Sequence, residues 1–182
     1  MPADNRWGFR MAVPELLYDQ GELHNLRVGR GTLTEEDRYK INEHIVQTEI
    51  MLSQLPFPRH LRRVVEVAAG HHERLDGTGY PKGLAADQLS TEARMMAIAD
   101  IFEALTASDR PYKSAKPLSE ALRIMARMRD ERHIDPDLFE IFVCEGVYLS
   151  YAQRFLQPGQ IDAVDIDALG LARTQTSTSA SV

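Results

Sequence analysis

Apolar residues recur at helical spacing along most of this chain, and no segment shows clear strand-like alternation of apolar and polar residues. Thr34 is a good N-cap, acidic residues follow it, and helix formers continue until Pro56, which predicts a helix over 34–55. Further helices are predicted over 59–72, 91–107, 118–129, from Asp135-Pro136 onward, and over 151–156. The pattern predicts an all-α fold, a single-domain helical bundle.

The same periodicity predicts which residues face the core and where the domain ends. In the first two helices the expected core positions are Ile41, Ile45, Val46, Leu52, Leu61, Val64, Val65 and Ala68. We divide the chain into an irregular N-terminal segment (1–30), a helical domain (31–157) and a C-terminal tail (158–182). The Ser/Thr-rich end of that tail, from Thr174, is predicted to be disordered.

Charge and cysteine content exclude several classes of function. The 182 residues include 21 Lys and Arg against 27 Asp and Glu, a formal charge of −6, which disfavours binding to polymeric DNA or RNA. The single cysteine, Cys144, forms no internal disulfide, which suggests a reducing compartment. No apolar run is long enough to span a membrane and the N-terminus lacks signal-peptide character, so we expect a cytoplasmic protein without membrane contact.

Four polar side chains lie on or beside the apolar faces of predicted helices. His44 lies on the first helix, His71 and His72 end the second, and Asp100 lies on the third. Imidazoles and carboxylates bind Zn, Fe and Mn, so the four residues are candidate metal ligands. Adjacent helical residues diverge by about 100°, so the pair favours two metals or a frayed helix end. Ordinary structural roles stay open at this stage, including pairing of Asp100 with Arg94 or Arg110.

The histidine pair opens a segment rich in glycine and proline, and this segment carries a family resemblance. Residues 71–84 read His-His-Glu-Arg-Leu-Asp-Gly-Thr-Gly-Tyr-Pro-Lys-Gly-Leu. Ala97-Ile98-Ala99-Asp100 and Asp109-Arg110-Pro111-Tyr112-Lys113 follow. These motifs closely resemble the HD-GYP family, a branch of the HD phosphohydrolases, and the resemblance extends over roughly residues 31–145.

The resemblance implies an HD-type helical bundle that holds one to three divalent ions, Fe or Mn. It implies a metal-dependent phosphodiesterase that hydrolyses cyclic di-GMP to the linear dinucleotide or GMP, and it suggests diguanylate cyclase domains as partners. The residues that match the family's motif are assigned the following roles: His44, His71, His72 and Asp100 as metal ligands, Glu73 and Asp76 as catalytic residues supporting the histidine pair, and Tyr80, Arg110 and Lys113 as substrate-binding residues.

One family motif is missing, and it leaves two functions open. The His-Asp dipeptide occurs nowhere in the sequence, and Arg6-Trp7 stands about where it would align. Either the remaining ligands lie upstream of this chain, or the site is degenerate. The first reading predicts a partial or divergent phosphodiesterase, and the second a module that binds nucleotide or a signalling partner without hydrolysis. In a third reading the four candidate ligands are buried polar residues of a helical scaffold.

Overall fold

The structure, a computed structural model, describes residues 4–15, 17, 33–108 and 115–171. Within these ranges it contains six α-helices: α1 (Glu35–Ser53), α2 (Val64–Gly70), α3 (Thr91–Thr106), α4 (Leu118–Asp130), α5 (Pro136–Cys144) and α6 (Val147–Phe155). Short 3₁₀ turns occupy Arg59–Leu61, Ala86–Gln88, Pro158–Gln160 and Asp167–Leu169. Extended pairing in the same ranges is limited to one isolated bridge, between Asp76 and Ala85. The predicted all-α fold class is confirmed.

Capping residues explain where the best-predicted helices begin. The Thr34 side chain accepts from the Asp37 amide and the Asp37 carboxylate accepts from the Thr34 amide, so both groups are satisfied at the start of α1. Asp135 caps α5 by accepting from the amides of Asp137 and Leu138. Pro136 occupies the first helical position, where its missing N–H costs nothing.

The helix predicted over 59–72 is shorter than expected and exposes part of its apolar face. A 3₁₀ turn at Arg59–Leu61 precedes α2, which ends at Gly70. Because a 3₁₀ turn has about three residues per turn rather than 3.6, it rotates the apolar stripe out of register. Leu61 and Val64 are accordingly 41% and 37% exposed, and their predicted place in the core is wrong.

The chain divides into two compact units, Met1–Met96 and Ala97–Val182. In the first unit α1 packs against α2. Its core contains Phe9, Ile45 and Val46, against which Trp7, Met11, Ile50 and Tyr80 pack. The described part of the irregular N-terminal segment therefore contributes to this core. Ile41, predicted to be buried on α1, is 54% exposed, so that prediction is wrong.

The second unit has the larger core, built by the end of α3 and by helices α4, α5 and α6. Leu118, Leu122, Met125 and Phe139 are fully buried in it. Leu169 and Leu171 join the same core, so the described part of the predicted C-terminal tail is packed. The segment from Thr174, predicted to be disordered, lies outside the described residues. None of the described helices is long and apolar enough to cross a membrane.

Candidate metal centre

Three of the predicted ligands come together in the first unit. His44 lies on α1, and His71 and His72 follow the last residue of α2 directly. One ring nitrogen of each can be chosen so that the three atoms lie within 4.8 Å of one another. His71 and His72 are half-buried, and His44 is exposed. Two separate segments of the chain therefore place three imidazoles close together.

Backbone carbonyls fix the protonation pattern of two of these rings. Nδ1 of His44 lies 2.6 Å from the Ile41 carbonyl oxygen, and Nδ1 of His71 lies 2.7 Å from that of Ala68. A carbonyl oxygen can only accept, so each Nδ1 carries the proton and donates it. In a neutral ring Nε2 then keeps its lone pair, which is the arrangement in which histidine binds metals.

The spacing of His44 and His72 fits a shared ion. Nε2 of His44 and Nε2 of His72 are 3.2 Å apart. Two nitrogens bound to one ion at about 2.1 Å, with an angle of about 90–110° between them, are separated by about 3.0–3.4 Å. The His71 and His72 rings also lie close, with centroids 4.1 Å apart. The donor set therefore fits a divalent metal that accepts imidazole nitrogen.

The other predicted site residues do not form part of this cluster as the structure describes it. Asp100 lies half-buried on α3, in the second unit, and its role as a ligand stays a prediction. Arg110 and Lys113 lie outside the described residues. His60, which is not among the predicted ligands, is exposed.

Tyr80 contacts a predicted metal ligand directly. Its ring stacks on His72, with centroids 4.9 Å apart and planes inclined by 23°. It also packs against the core cluster of Phe9, Ile45 and Val46. Tyr80 thus lies between the His72 ring and this core cluster through contacts with both, and sequence reasoning missed the stack on His72. Its predicted contact with a guanine base stays a prediction.

Glu73 anchors the loop that follows the histidine pair. It is 2% exposed, and its two carboxylate oxygens accept from the main-chain amides of Lys82 and Leu84, at 2.7 and 2.9 Å. The Tyr80 amide donates to the His72 carbonyl. A Cβ atom on Gly79 would lie 2.3 Å from the Arg74 nitrogen, so only glycine fits where the loop crosses the chain beside the histidines.

Asp76 stabilises the turn within the same loop. Its carboxylate accepts from the amide and the hydroxyl of Thr78 and lies 3.5 Å from the Arg74 guanidinium. These bonds and those of Glu73 shape the loop. The catalytic and supporting roles that the resemblance implies for the two acids stay predictions.

A buried ion pair joins the loop to α1. Nζ of Lys82 lies 2.6 Å from Oε1 of Glu49, and the Glu49 side chain is 9% exposed. The pair was missed at the level of sequence because its members are 33 residues apart and nothing in their spacing indicates contact.

At Arg6-Trp7, where the missing dipeptide is expected to align, the Trp7 side chain packs against the core cluster that includes Ile45 and Val46 of α1. The Arg6 guanidinium lies 4.2 Å from the centre of the Trp7 ring, and Trp7 stacks on Phe9. A guanidinium and an indole are donors only, so neither side chain supplies a metal ligand. In the described part of the chain, the cluster consists of imidazoles without a carboxylate.

Comparison with known proteins gives the family. A cyclic di-GMP phosphodiesterase of Pseudomonas aeruginosa is 47% identical over 102 residues, which are 56% of this chain and 24% of the relative. A 3′3′-cGAMP-specific phosphodiesterase of Vibrio cholerae is 40% identical over 143 residues, 75% of this chain and 29% of the relative. A cyclic di-GMP phosphodiesterase response regulator of Xanthomonas campestris is 35% identical over 156 residues, which are 82% of this chain and 40% of the relative.

The matched region therefore spans only about a quarter to two fifths of these relatives. Residues 1–138 match the family described as HD domain, which is more than half of the chain. The helical fold and the histidine cluster agree with the HD-GYP resemblance of the sequence. The chain belongs to the HD domain family.

Proposed function

We propose that this chain is the metal-dependent phosphodiesterase domain of a protein that hydrolyses a cyclic dinucleotide, cyclic di-GMP first among them. The observation that carries the proposal is the convergence of His44, His71 and His72, two of which, His44 and His71, keep their Nε2 lone pairs because a carbonyl accepts from Nδ1. The names of the relatives support the substrate class. A divalent ion, when bound, polarises a phosphodiester oxygen and favours in-line displacement.

The residues of this chain would bind and orient the substrate around the centre. The carbonyl bonds of His44 and His71 and the stack of Tyr80 on His72 hold the imidazoles before a ligand arrives. Arg110 and Lys113 are proposed to bind the phosphates. A net charge of −6 does not oppose this, because a local divalent ion and two cations dominate the field at the site.

Neutral imidazole suits Fe²⁺ and Zn²⁺, whereas Mn²⁺ prefers carboxylate oxygen. Of the two metals that the family resemblance implies, we therefore propose iron at the three histidines, with Mn²⁺ as an alternative that depends on Asp100. One ion fits the described cluster, and any further ion requires donors beyond it.

The first experiment measures metal content and hydrolysis in matched variants. Purified protein should contain Fe, Mn or Zn, and His71→Ala should lower metal affinity by about 10-fold or more, because one of three nitrogen donors is lost. His60→Ala is the control, since His60 is exposed and lies apart from the cluster. With cyclic di-GMP and 3′3′-cGAMP as substrates, His71→Ala should abolish hydrolysis, and Asp100→Asn should weaken it if Asp100 is a ligand.

Two results together would contradict the proposed centre: purified wild-type protein that contains no Fe, Mn or Zn, and an unchanged metal content in His71→Ala. The catalytic part of the proposal fails separately if the protein binds metal but neither dinucleotide is hydrolysed in the presence of Fe²⁺ or Mn²⁺.

A second candidate function is a module that binds a cyclic dinucleotide or a signalling partner, such as a diguanylate cyclase domain, without hydrolysis. The lack of a carboxylate in the described histidine cluster favours it, because two-metal hydrolysis relies on bridging acids. If this candidate is correct, the wild-type chain should bind a cyclic dinucleotide and Arg110→Ala should abolish that binding. No hydrolysis should be detected with Fe²⁺, Mn²⁺ or Zn²⁺ present.

A further inference from the structure

We propose that Lys82 is a positioning residue that sets the distance between His44 and the His71-His72 pair. The inference rests on the proposed function, because it concerns the same histidine centre. Lys82 is bonded at both ends: its main-chain amide donates to Glu73, and its ammonium donates to Glu49. Glu73 directly follows His72, and Glu49 lies on α1, the helix that carries His44.

The two bonds are well sheltered from water. Glu49 and Glu73 are 7% and 2% exposed, and Lys82 is half-buried with its ammonium 5.9 Å from the centre of the Phe9 ring. Charge-assisted hydrogen bonds of this kind are short and directional. Lys82 therefore connects the two segments that supply imidazoles through two fixed contacts.

Stability alone does not explain the pair. Oε2 of Glu49 is buried and has no hydrogen-bond partner among the described residues, so the carboxylate is only half satisfied. Buried ion pairs are often replaced by uncharged residues of similar size without loss of stability. A half-satisfied buried acid is unfavourable, and a role in holding the loop against α1 accounts for its presence.

The geometry shows what such a role achieves. The loop held by Lys82 includes Tyr80, whose ring stacks on His72, and Nε2 of His72 lies 3.2 Å from that of His44. Moving the loop away from α1 would lengthen this separation beyond the range that one ion can bridge. We therefore expect the affinity for metal, rather than the fold, to depend on Lys82.

The experiment compares Zn²⁺ binding by isothermal titration in the full chain, since Zn²⁺ accepts imidazole and has no redox chemistry. The double variant Glu49→Gln/Lys82→Met removes both charges of the pair together, so neither partner is left as a charge without its counter-ion. Its dissociation constant for Zn²⁺ should rise by about 10-fold or more, as for other residues that orient metal ligands. Its thermal midpoint without metal should stay within about 3 °C of the wild type.

Two further variants separate positioning from general damage. Lys82→Arg keeps a cation opposite Glu49 and should bind Zn²⁺ within about threefold of the wild type. Arg63→Met/Glu92→Gln is the matched control: it removes a pair in the same unit whose side chains are 58% and 51% exposed, and it should leave the affinity unchanged.

Wild-type affinity in the double variant would overturn the inference while the proposed function stands. Should that variant fail to fold, Glu49→Asp keeps both charges but shortens the bridge, and wild-type affinity in it would overturn the inference equally. A wild-type chain that binds no Zn²⁺, Fe²⁺ or Mn²⁺ would overturn the proposed function and the inference together.

Discussion

Individual residues beside the histidines are constrained by backbone contacts as much as by their side chains. The carbonyls of Ile41 and Ala68 orient two imidazoles, and each lies three residues before the histidine it contacts. This relation arises within a helical turn and does not depend on the identity of the residue that supplies the carbonyl. Substitutions at Ile41 or Ala68 should consequently retain these bonds as long as the turn is kept.

Gly79 gives the sharpest prediction at this scale. A Cβ atom at this position would lie 2.3 Å from the Arg74 nitrogen and 2.5 Å from the Glu73 Cα atom, both of which are backbone atoms that cannot rotate away. Gly79→Ala should destabilise the protein by about 1–3 kcal/mol or more, as measured by denaturant unfolding, and should weaken metal binding.

Gly159→Ala provides the control, because a Cβ there meets nothing within 4 Å, and its effect should be within about 0.5 kcal/mol. Equal stabilities for the two alanine variants would show that the close crossing at Gly79 does not exist in solution.

At the level of elements, helix starts were predicted best where a capping residue within the first turn fixes them. Thr34 and Asp135 cap α1 and α5 where expected, because capping depends on residues within one turn. The segment expected to be helical over 151–156 lies within α6 as far as Phe155, and α6 begins at Val147, directly after Gly146, which adopts a left-handed conformation. The exposure of Leu61 and Val64 could not be predicted, because the 3₁₀ turn at Arg59–Leu61 changes which residues of this segment face the core.

The same distinction applies to the site. The three histidines were found from their positions on helix faces and from the resemblance. The pair of Glu49 and Lys82 depends on packing between distant segments, which periodicity does not report. The hydrogen bonds from the Lys82 and Leu84 amides to Glu73 could not be predicted either, because every residue except proline has a main-chain amide and the sequence does not indicate which one donates.

Helix α4 carries a prediction about pH. Asp162 accepts from the amide and the hydroxyl of Ser119 in the first turn of α4. Burial raises the pKa of Asp162, but the bonds from Ser119 and the charge of Arg123 outweigh burial and leave the pKa lowered. Because the folded pKa lies below the unfolded value of about 3.9, the stabilising contribution is present above that value and is lost as pH falls through the folded pKa.

Asp162→Asn should therefore lower stability modestly at neutral pH, by about 1 kcal/mol or less, and should flatten the loss of stability below about pH 4. Urea unfolding followed from pH 2 to pH 7 measures both effects. Asp167→Asn, at another acid of the same unit, makes the same change in charge and is the matched control. A wild-type acid profile in Asp162→Asn would refute this role.

For the whole molecule, the two compact units differ in what stabilises them. The second is built around a continuous apolar core with many fully buried side chains. The buried cluster of the first is small, and this unit carries the histidines and the polar loop. Ligand binding adds stability to the state that binds, by about 2.7 kcal/mol when the free ligand is at 100 times its dissociation constant. Metal should thus matter most to the first unit.

Hydrogen exchange tests this expectation in the intact chain. Saturating Zn²⁺ should slow the exchange of amides in α1, α2 and the loop over 71–84, with a smaller change in α4, α5 and α6. The His71→Ala variant should lose the effect. Uniform slowing in all helices, or no slowing in α1 and α2, would contradict a metal site located in the first unit.

The bonds around the loop also bear on the order in which the centre forms during folding. Glu73 contacts residues nine and eleven positions away, and Tyr80 contacts His72. Closing such short segments loses little chain entropy, whereas joining Lys82 to Glu49 spans 33 residues. Contacts between near neighbours in sequence form faster than distant ones. We expect the His71-His72 pair and its loop to be shaped first, with His44 arriving as the last of the three imidazoles.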